Sequence, residues 1–355
     1  MSEVAGDMPM ERTSRAPAVV GVSVRLAAAS NRRRGRFHLS IEKGVVMIKT
    51  RRLFAVALAA CIATPASAAG PAYLARAGGG TTCTLAAPCN GMATAISVAG
   101  LAGEVICLDK ANFGSAIISQ SVTISCGDDL WEAPGAGISI GTPAGSSVSI
   151  EGLVLDGNGV PGTAFAFSGQ GSLSLHRVRV GNNPGSNSDG LLFQPSGRAT
   201  LHVSDSIFYN NGTGTGGGIV IRPQAGGSAE VALERVIVNG NAFGIAADGT
   251  SSTAGINMTI ADSMTAGNSQ DGILAATSGG GAPIGVMVTN TKSVNNAFGI
   301  RSIGPSVTVR AGDNTITGNS TGLSFSGGGA LLSYGTNKVQ ANGADGAFSG
   351  PVGLQ

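Results

Sequence analysis

Eight asparagines, Asn158, Asn183, Asn211, Asn241, Asn268, Asn296, Asn319 and Asn342, return along this chain at intervals of 25, 28, 30, 27, 28, 23 and 23 residues. Ten residues before each of the first six stands an aliphatic side chain: Val148, Leu173, Leu201, Val231, Met258 and Val286. Two residues after that stands another: Ile150, Leu175, Val203, Leu233, Ile260 and Val288. Paired aliphatics at period two mark a strand whose alternate side chains face one interior. A seventh repeat carries Val307 and Val309, and with these as its pair it needs two extra residues to reach Asn319. A second strand follows each asparagine, usually opened by glycine, as in Gly190-Leu191, Gly218-Ile219, Gly244-Ile245, Gly272-Ile273, Gly299-Ile300 and Gly322-Leu323. The unit leaves no room for a crossover helix and cannot bury its face alone. It must stack on copies of itself, each coil adding about 4.8 Å.

Composition excludes the other architectures. With 57 glycines and 12% charged residues, helix faces could be neither built nor solvated. A hydrophobic content of 42% is too high for a disordered chain, and no Gly-x-y period suggests collagen. Residues 1–69 hold 11 of the 22 basic and 4 of the 20 acidic residues, so the remainder carries a net charge of −5. That balance argues against a nucleic-acid partner, whose backbone demands clustered Lys and Arg.

Met47 opens a stretch with the pattern of a secretory signal over 47–68. Lys49, Arg51 and Arg52 precede an apolar run from Leu53 to Ala63, and Ala66-Ser67-Ala68 offers a cleavage site. Residues 1–46 then read as an untranslated or disordered upstream extension. Leu58-Ala59-Ala60-Cys61 also fits a lipoprotein processing site, so both export routes stay open. Either predicts a secreted, periplasmic or cell-surface protein, with no transmembrane helix in the mature chain. Four cysteines remain, Cys83, Cys89, Cys107 and Cys126, an even number suited to an oxidising compartment. Of three possible connectivities, the preferred one joins Cys83 to Cys89 and Cys107 to Cys126.

Over roughly residues 104–350 these repeats resemble the right-handed parallel β-helix of the pectate-lyase-like superfamily, whose mark is an asparagine ladder at a turn. The resemblance implies an all-β solenoid of roughly 8–10 coils over 104–355, with inward asparagines hydrogen-bonded along the stack. Pro88-Cys89, an Ala-rich helical stretch near 91–99 and the run Gly103 to Asp109 resemble the N-terminal cap of exported bacterial β-helix proteins. The cap is expected to span 69–103.

Equal positions in successive coils stack, so surface columns follow from the register. Arg177, Asp205, Arg235, Asp262 and Asn290 read as an exposed ladder of alternating charge. His176 falls beside Glu151, Ser204 and Glu234 and, like His202, reads as a solvated histidine. No His, Cys or Asp cluster has metal-ligand spacing, so no metal and no cofactor is expected. The resemblance places an active groove on the outer face of one sheet. On the Gly-Ile strand that face reads Ala166, Leu192, Val220, Ala246, Leu274, Arg301 and Ser324, then Ser168, Gln194, Arg222, Asp248 and Ala276. Asn187-Ser188-Asp189-Gly190 resembles the Asn-Thr-Asp motif of polygalacturonases, and Asp271-Gly272 occupies a similar place. The family's Asp-Asp, Gly-His-Gly and Arg-x-Lys elements are absent, which leaves Asp189, Arg222 and Asp248 as weak catalytic candidates. Leu192, Val220, Ala246 and Leu274 form either a partner surface or a stripe covered by the turns around 183–189, 211–217 and 224–228. The expectation is an exported, non-catalytic, monomeric scaffold binding an extended polysaccharide or a cell-surface partner. The alternative is a polysaccharide lyase or glycoside hydrolase.

Overall fold

Two aliphatic columns at period two require that every coil present the same pair of residues to one interior. In the computed structural model, which describes residues 70–127 and 137–353, they do so. The expected upstream extension and signal segment, with Cys61, lie outside the described residues. Val122, Val148, Leu173, Leu201, Val231, Met258, Val286, Val309 and Leu331 stand in register, one above the next. Ile124, Ile150, Leu175, Val203, Leu233, Ile260, Val288 and Ala311 form the adjacent column. The seventh repeat differs from expectation. Val307 pairs with Ile284 and Val309 with Val286, so Asn319 again lies ten residues after the anchor and no insertion exists. Ala311 holds the second position there, a residue too small to signal it.

The chain forms a parallel β-helix. Three parallel sheets of 12, 9 and 8 strands wrap the core, and the eight strands of the shortest sheet mark about eight coils. Each coil runs from a long-sheet strand, such as Arg198–Ser204, to a three-residue strand, such as Ile207–Tyr209, and then to the Gly-Ile strand, such as Gly217–Ile221. The first corner of each coil is a single left-handed residue. Arg177, Asp205, Arg235, Asp262, Asn290 and Asp313 take φ of 44–59° there, so the charge column lies on a line of corners. Asp205 is bound by Arg235 through Nε and Nη2 at 2.6 and 2.9 Å, and Asn290 donates to Asp262 at 2.6 Å.

At the second corner a left-handed residue (Asn182, Asn210, Gly240, Gly267, Asn295, Gly318 or Ala341) precedes each inward asparagine. The amide Nδ2 of Asn183 donates to Oδ1 of Asn211. From Asn211 onward both the backbone N–H and Nδ2 donate to the next asparagine's Oδ1, through Asn241, Asn268, Asn296, Asn319 and Asn342. Nδ2 also reaches a carbonyl of the preceding coil: Val180 for Asn211, Val238 for Asn268, Ser293 for Asn319. Asn158 does not join. It is exposed, takes the left-handed corner itself at φ 49°, and gives its N–H to Asp156 Oδ1.

The glycines that open the second strand make room for this ladder. A Cβ on Gly190, Gly218, Gly244, Gly272, Gly299 or Gly322 would lie 2.7–3.0 Å from the ladder Nδ2 of the following coil. A second polar stack lies just past the first corner. Val236 donates its N–H to Ser263 Oγ, Ser263 to Thr291 Oγ1, Thr291 to Asn314 Oδ1 and Asn314 to Asn337 Oδ1.

The helix Met92–Ala99 closes the N-terminal end, burying Met92, Ala95, Ile96 and Ala99. Gln120 Nε2 donates to the carbonyls of Ile96 and Gly100 at the helix C-terminus, adding to the backbone N–H bonds they accept from Gly100 and Gly103. Cys83 is joined to Cys89 and Cys107 to Cys126.

Replacing Asn268 by Ala leaves the N–H of Asn241 without its acceptor in a buried corner and takes one of three acceptors from its Nδ2, a loss on the order of 2 kcal/mol. Asn158→Gly, which keeps the left-handed corner at φ 49° and alters only an exposed side chain, shifts stability by under about 0.5 kcal/mol. Urea unfolding of the two variants side by side checks this, and equal midpoints would refute the ladder's role.

Candidate functional site

The Gly-Ile sheet presents Ala166, Leu192, Val220, Ala246, Leu274, Arg301 and Ser324 in one outward column, as the repeat register requires. The stripe is not uniformly open. Val220 and Ala246 are 1% and 6% exposed, while Leu192 and Leu274 are half-buried. The turn carrying Thr215 folds onto this face, tied down by Gln270 Nε2 donating to the Gly214 carbonyl. Beneath it lies a cavity of about 260 Å³ lined by Thr215, Val220, Arg222, Phe243, Ala246, Asp248, Thr250, Leu274 and Ala276.

Two of the three catalytic candidates meet at this cavity. Arg222 Nε donates to Asp248 Oδ2 at 2.9 Å, and Asp248 Oδ1 accepts from the N–H and the hydroxyl of Thr250 at 3.0 and 2.6 Å. Asp189 does not line the cavity. Its Oδ1 accepts the Gly217 N–H at 2.8 Å, and the side chain is buried. Burial pushes its carboxyl up to about 7, against the opposing pull of the Gly217 hydrogen bond and the Arg222 charge.

Asp271 stands in a similar place farther along the stack and is fully buried. Burial pushes its carboxyl up to about 6, outweighing the ion pair with Arg301. Arg301 lies over the Phe298 ring at 4.2 Å. Asp271 Oδ1 and Arg301 Nε have no hydrogen-bond partner among the described residues. The Arg301–Asp271 pair was not legible beforehand, because Arg301 sits in an apolar outward column and Asp271 at a turn.

On the long sheet, His176 Nδ1 lies 2.9 Å from Ser204 Oγ and 3.5 Å from Asp205 Oδ2. A nucleophile–base–orienter relay needs the two ring nitrogens to serve different partners. Here one nitrogen faces both. Asp205 is moreover engaged by Arg235, whose hydrogen bond holds the Asp205 carboxyl below the usual carboxylate range. The cluster is a corner contact in the charge ladder.

His202 stands elsewhere, in a shallow groove of about 620 Å³ on the outer face of the long sheet. The groove runs over six consecutive strands, from Gly171–His176 to Val307–Gly312. Outward hydroxyls and amides line it, Ser172, Ser174, Thr200, Thr259 and Asn257, together with Ala232 and Met287 and the charged Glu230 and Arg310. Arg198 Nη2 holds Glu230 at 2.7 Å. Nothing in the sequence singled this face out, since its columns are mixed small residues with no repeated charge.

Among the described residues no group of three His, Cys, Asp or Glu side chains is placed to hold a metal ion, and no helix is long and apolar enough to cross a membrane. No family model, curated protein or solved structure matches the chain.

A carboxyl raised by burial favours the folded state at pH values below its unfolded 3.8, and that contribution is lost as pH rises through about 7. Asp189→Asn keeps an acceptor for the Gly217 N–H but cannot ionise. Its unfolding free energy from urea titration is expected to exceed the parent's at pH 8, by on the order of 2–4 kcal/mol, and to converge with it toward pH 4. A difference independent of pH would show that ionisation of Asp189 carries no cost.

Proposed function

We propose that this protein is an exported, non-catalytic scaffold that binds an extended, hydroxyl-rich polymer, a polysaccharide at a cell surface, along the outer face of its long sheet. The observation that carries this reading is the groove itself. It crosses six coils at a spacing of about 4.8 Å per strand, a length suited to a chain rather than a small molecule. Its serine, threonine and asparagine side chains offer hydroxyl and amide hydrogen bonds, the chemistry that matches sugar hydroxyls. Two disulfides fit an oxidising compartment, which supports export through the signal segment at 47–68.

Binding is favoured over hydrolysis because the two carboxylates that glycoside hydrolysis usually requires do not converge in this groove. Glu230 is its single carboxylate, and it is already paired with Arg198. The lyase or hydrolase alternative draws on Arg222 and Asp248 on another sheet.

The test is retention of the purified protein on a panel of plant and bacterial polysaccharides, with release of reducing ends and of unsaturated sugars followed in parallel. Retention without release is expected. Ala232→Arg, placed in mid-groove, is expected to weaken binding at least tenfold, and Ile237→Arg on the third sheet to leave it unchanged. Release of sugars would establish the enzymatic alternative. Equal effects of the two substitutions would remove the groove as the binding face.

A further inference from the structure

The cavity under the Thr215 turn differs from the groove in being small, apolar-floored and guarded by one oriented cation. Val220, Ala246, Leu274 and Phe243 supply apolar surface around its 260 Å³. Arg222 supplies the charge, and its setting determines which of its donors remain. Asp248 is fixed by the Thr250 backbone N–H and hydroxyl on Oδ1, and its Oδ2 takes the Nε proton of Arg222. The guanidinium is thus held from its stem side. Its two terminal nitrogens make no hydrogen bond among the described residues, although the side chain lines the cavity. Such a fork is the geometry that receives a carboxylate through two parallel hydrogen bonds.

We propose that this cavity binds a small organic carboxylate with a compact apolar body, the carboxylate on the terminal nitrogens of Arg222 and the body against Val220, Ala246, Leu274 and Phe243. Asp248 is a positioning residue in this site. It spends both oxygens on Thr250 and Arg222 and so orients the guanidinium without competing for its outer face. Leu192, earlier along the same outward column, does not line the cavity. The site is therefore confined to the coils beneath the turn and does not extend along the apolar stripe.

Titration calorimetry of the full mature chain with benzoate and 3-phenylpropionate, against benzyl alcohol and benzylamine, tests this. At least one carboxylate is expected to bind saturably, at about 1 mM or tighter, with the alcohol and the amine at least tenfold weaker. Arg222→Gln is expected to weaken carboxylate binding at least tenfold. Ala276→Leu, at the half-buried edge of the cavity, occludes the apolar body while leaving the guanidinium intact, and is expected to abolish binding with an unchanged thermal midpoint. It carries the test if the Arg222 variant fails to fold. Absence of saturation with both carboxylates, equal binding of the alcohol or the amine, or affinity within twofold of the parent in both variants would each overturn the proposal.

Discussion

A parallel coil that turns sharply leaves a backbone N–H and carbonyls at each corner, where strand pairing cannot reach them. In this protein the amide of a buried asparagine meets those groups, and the rest of the stack depends on that exchange. Asn241 illustrates the balance. Its Oδ1 accepts the N–H and Nδ2 of Asn211, while its own Nδ2 reaches Phe208, Asn239 and Asn268. Because an unpaired buried amide costs about 1–3 kcal/mol, each asparagine is needed by its neighbours on both sides. The ladder ends where that demand can be met otherwise. At the C-terminal end Asp345 Oδ1 accepts both the N–H and Nδ2 of Asn342. A carboxylate has acceptors only, so the terminal side chain leaves no donor unpaired.

The ladder also dictates sequence elsewhere. The amide nitrogen of each asparagine from Asn211 to Asn342 occupies the space where a side chain on the preceding coil's strand-opening residue would stand, which fixes glycine at six positions from Gly190 to Gly322. Glycine therefore precedes each inward aliphatic, Leu191, Ile219, Ile245, Ile273, Ile300 and Leu323, and marks where the chain re-enters the core. The asparagine and glycine periodicities are one constraint seen from two adjacent coils.

This coupling explains what could be read from the chain and what could not. Positions that keep one residue type through the stack, the asparagines, the glycines and the paired aliphatics, announce themselves. The second polar stack does similar work at the other corner, yet its column reads Ser206, Val236, Ser263, Thr291, Asn314 and Asn337, broken at Val236, and a column that changes chemistry leaves no period. Asn158 matches the spacing but not the role, since nothing in spacing reveals that its backbone goes left-handed and turns the amide outward. The adjacency of Arg222 and Asp248 followed from their shared outward column. The burial of Asp189 did not, because it depends on the Gly217 N–H and on how the neighbouring turn folds.

The three sheets are unequal as binding surfaces for reasons set by strand length. The shortest sheet has two- or three-residue strands between two corners, so its outer face is a narrow ridge. The Gly-Ile sheet is partly roofed by the Thr215 turn, which leaves a cavity of small-molecule size. The long sheet, with strands of six or seven residues from Gly171 to Gly312, is the widest unroofed surface and repeats at a fixed interval. Catalysis would require preorganised groups converging on one bond and shielded from water. Binding a polymer requires rigidity and a repeat, because a surface that does not reorganise loses little on association. A hydrogen-bonded stack offers the second set of properties along its whole length. Departures from the repeat, such as the roofing turn and the oriented Arg222, are where a distinct small-molecule site can arise on the same scaffold.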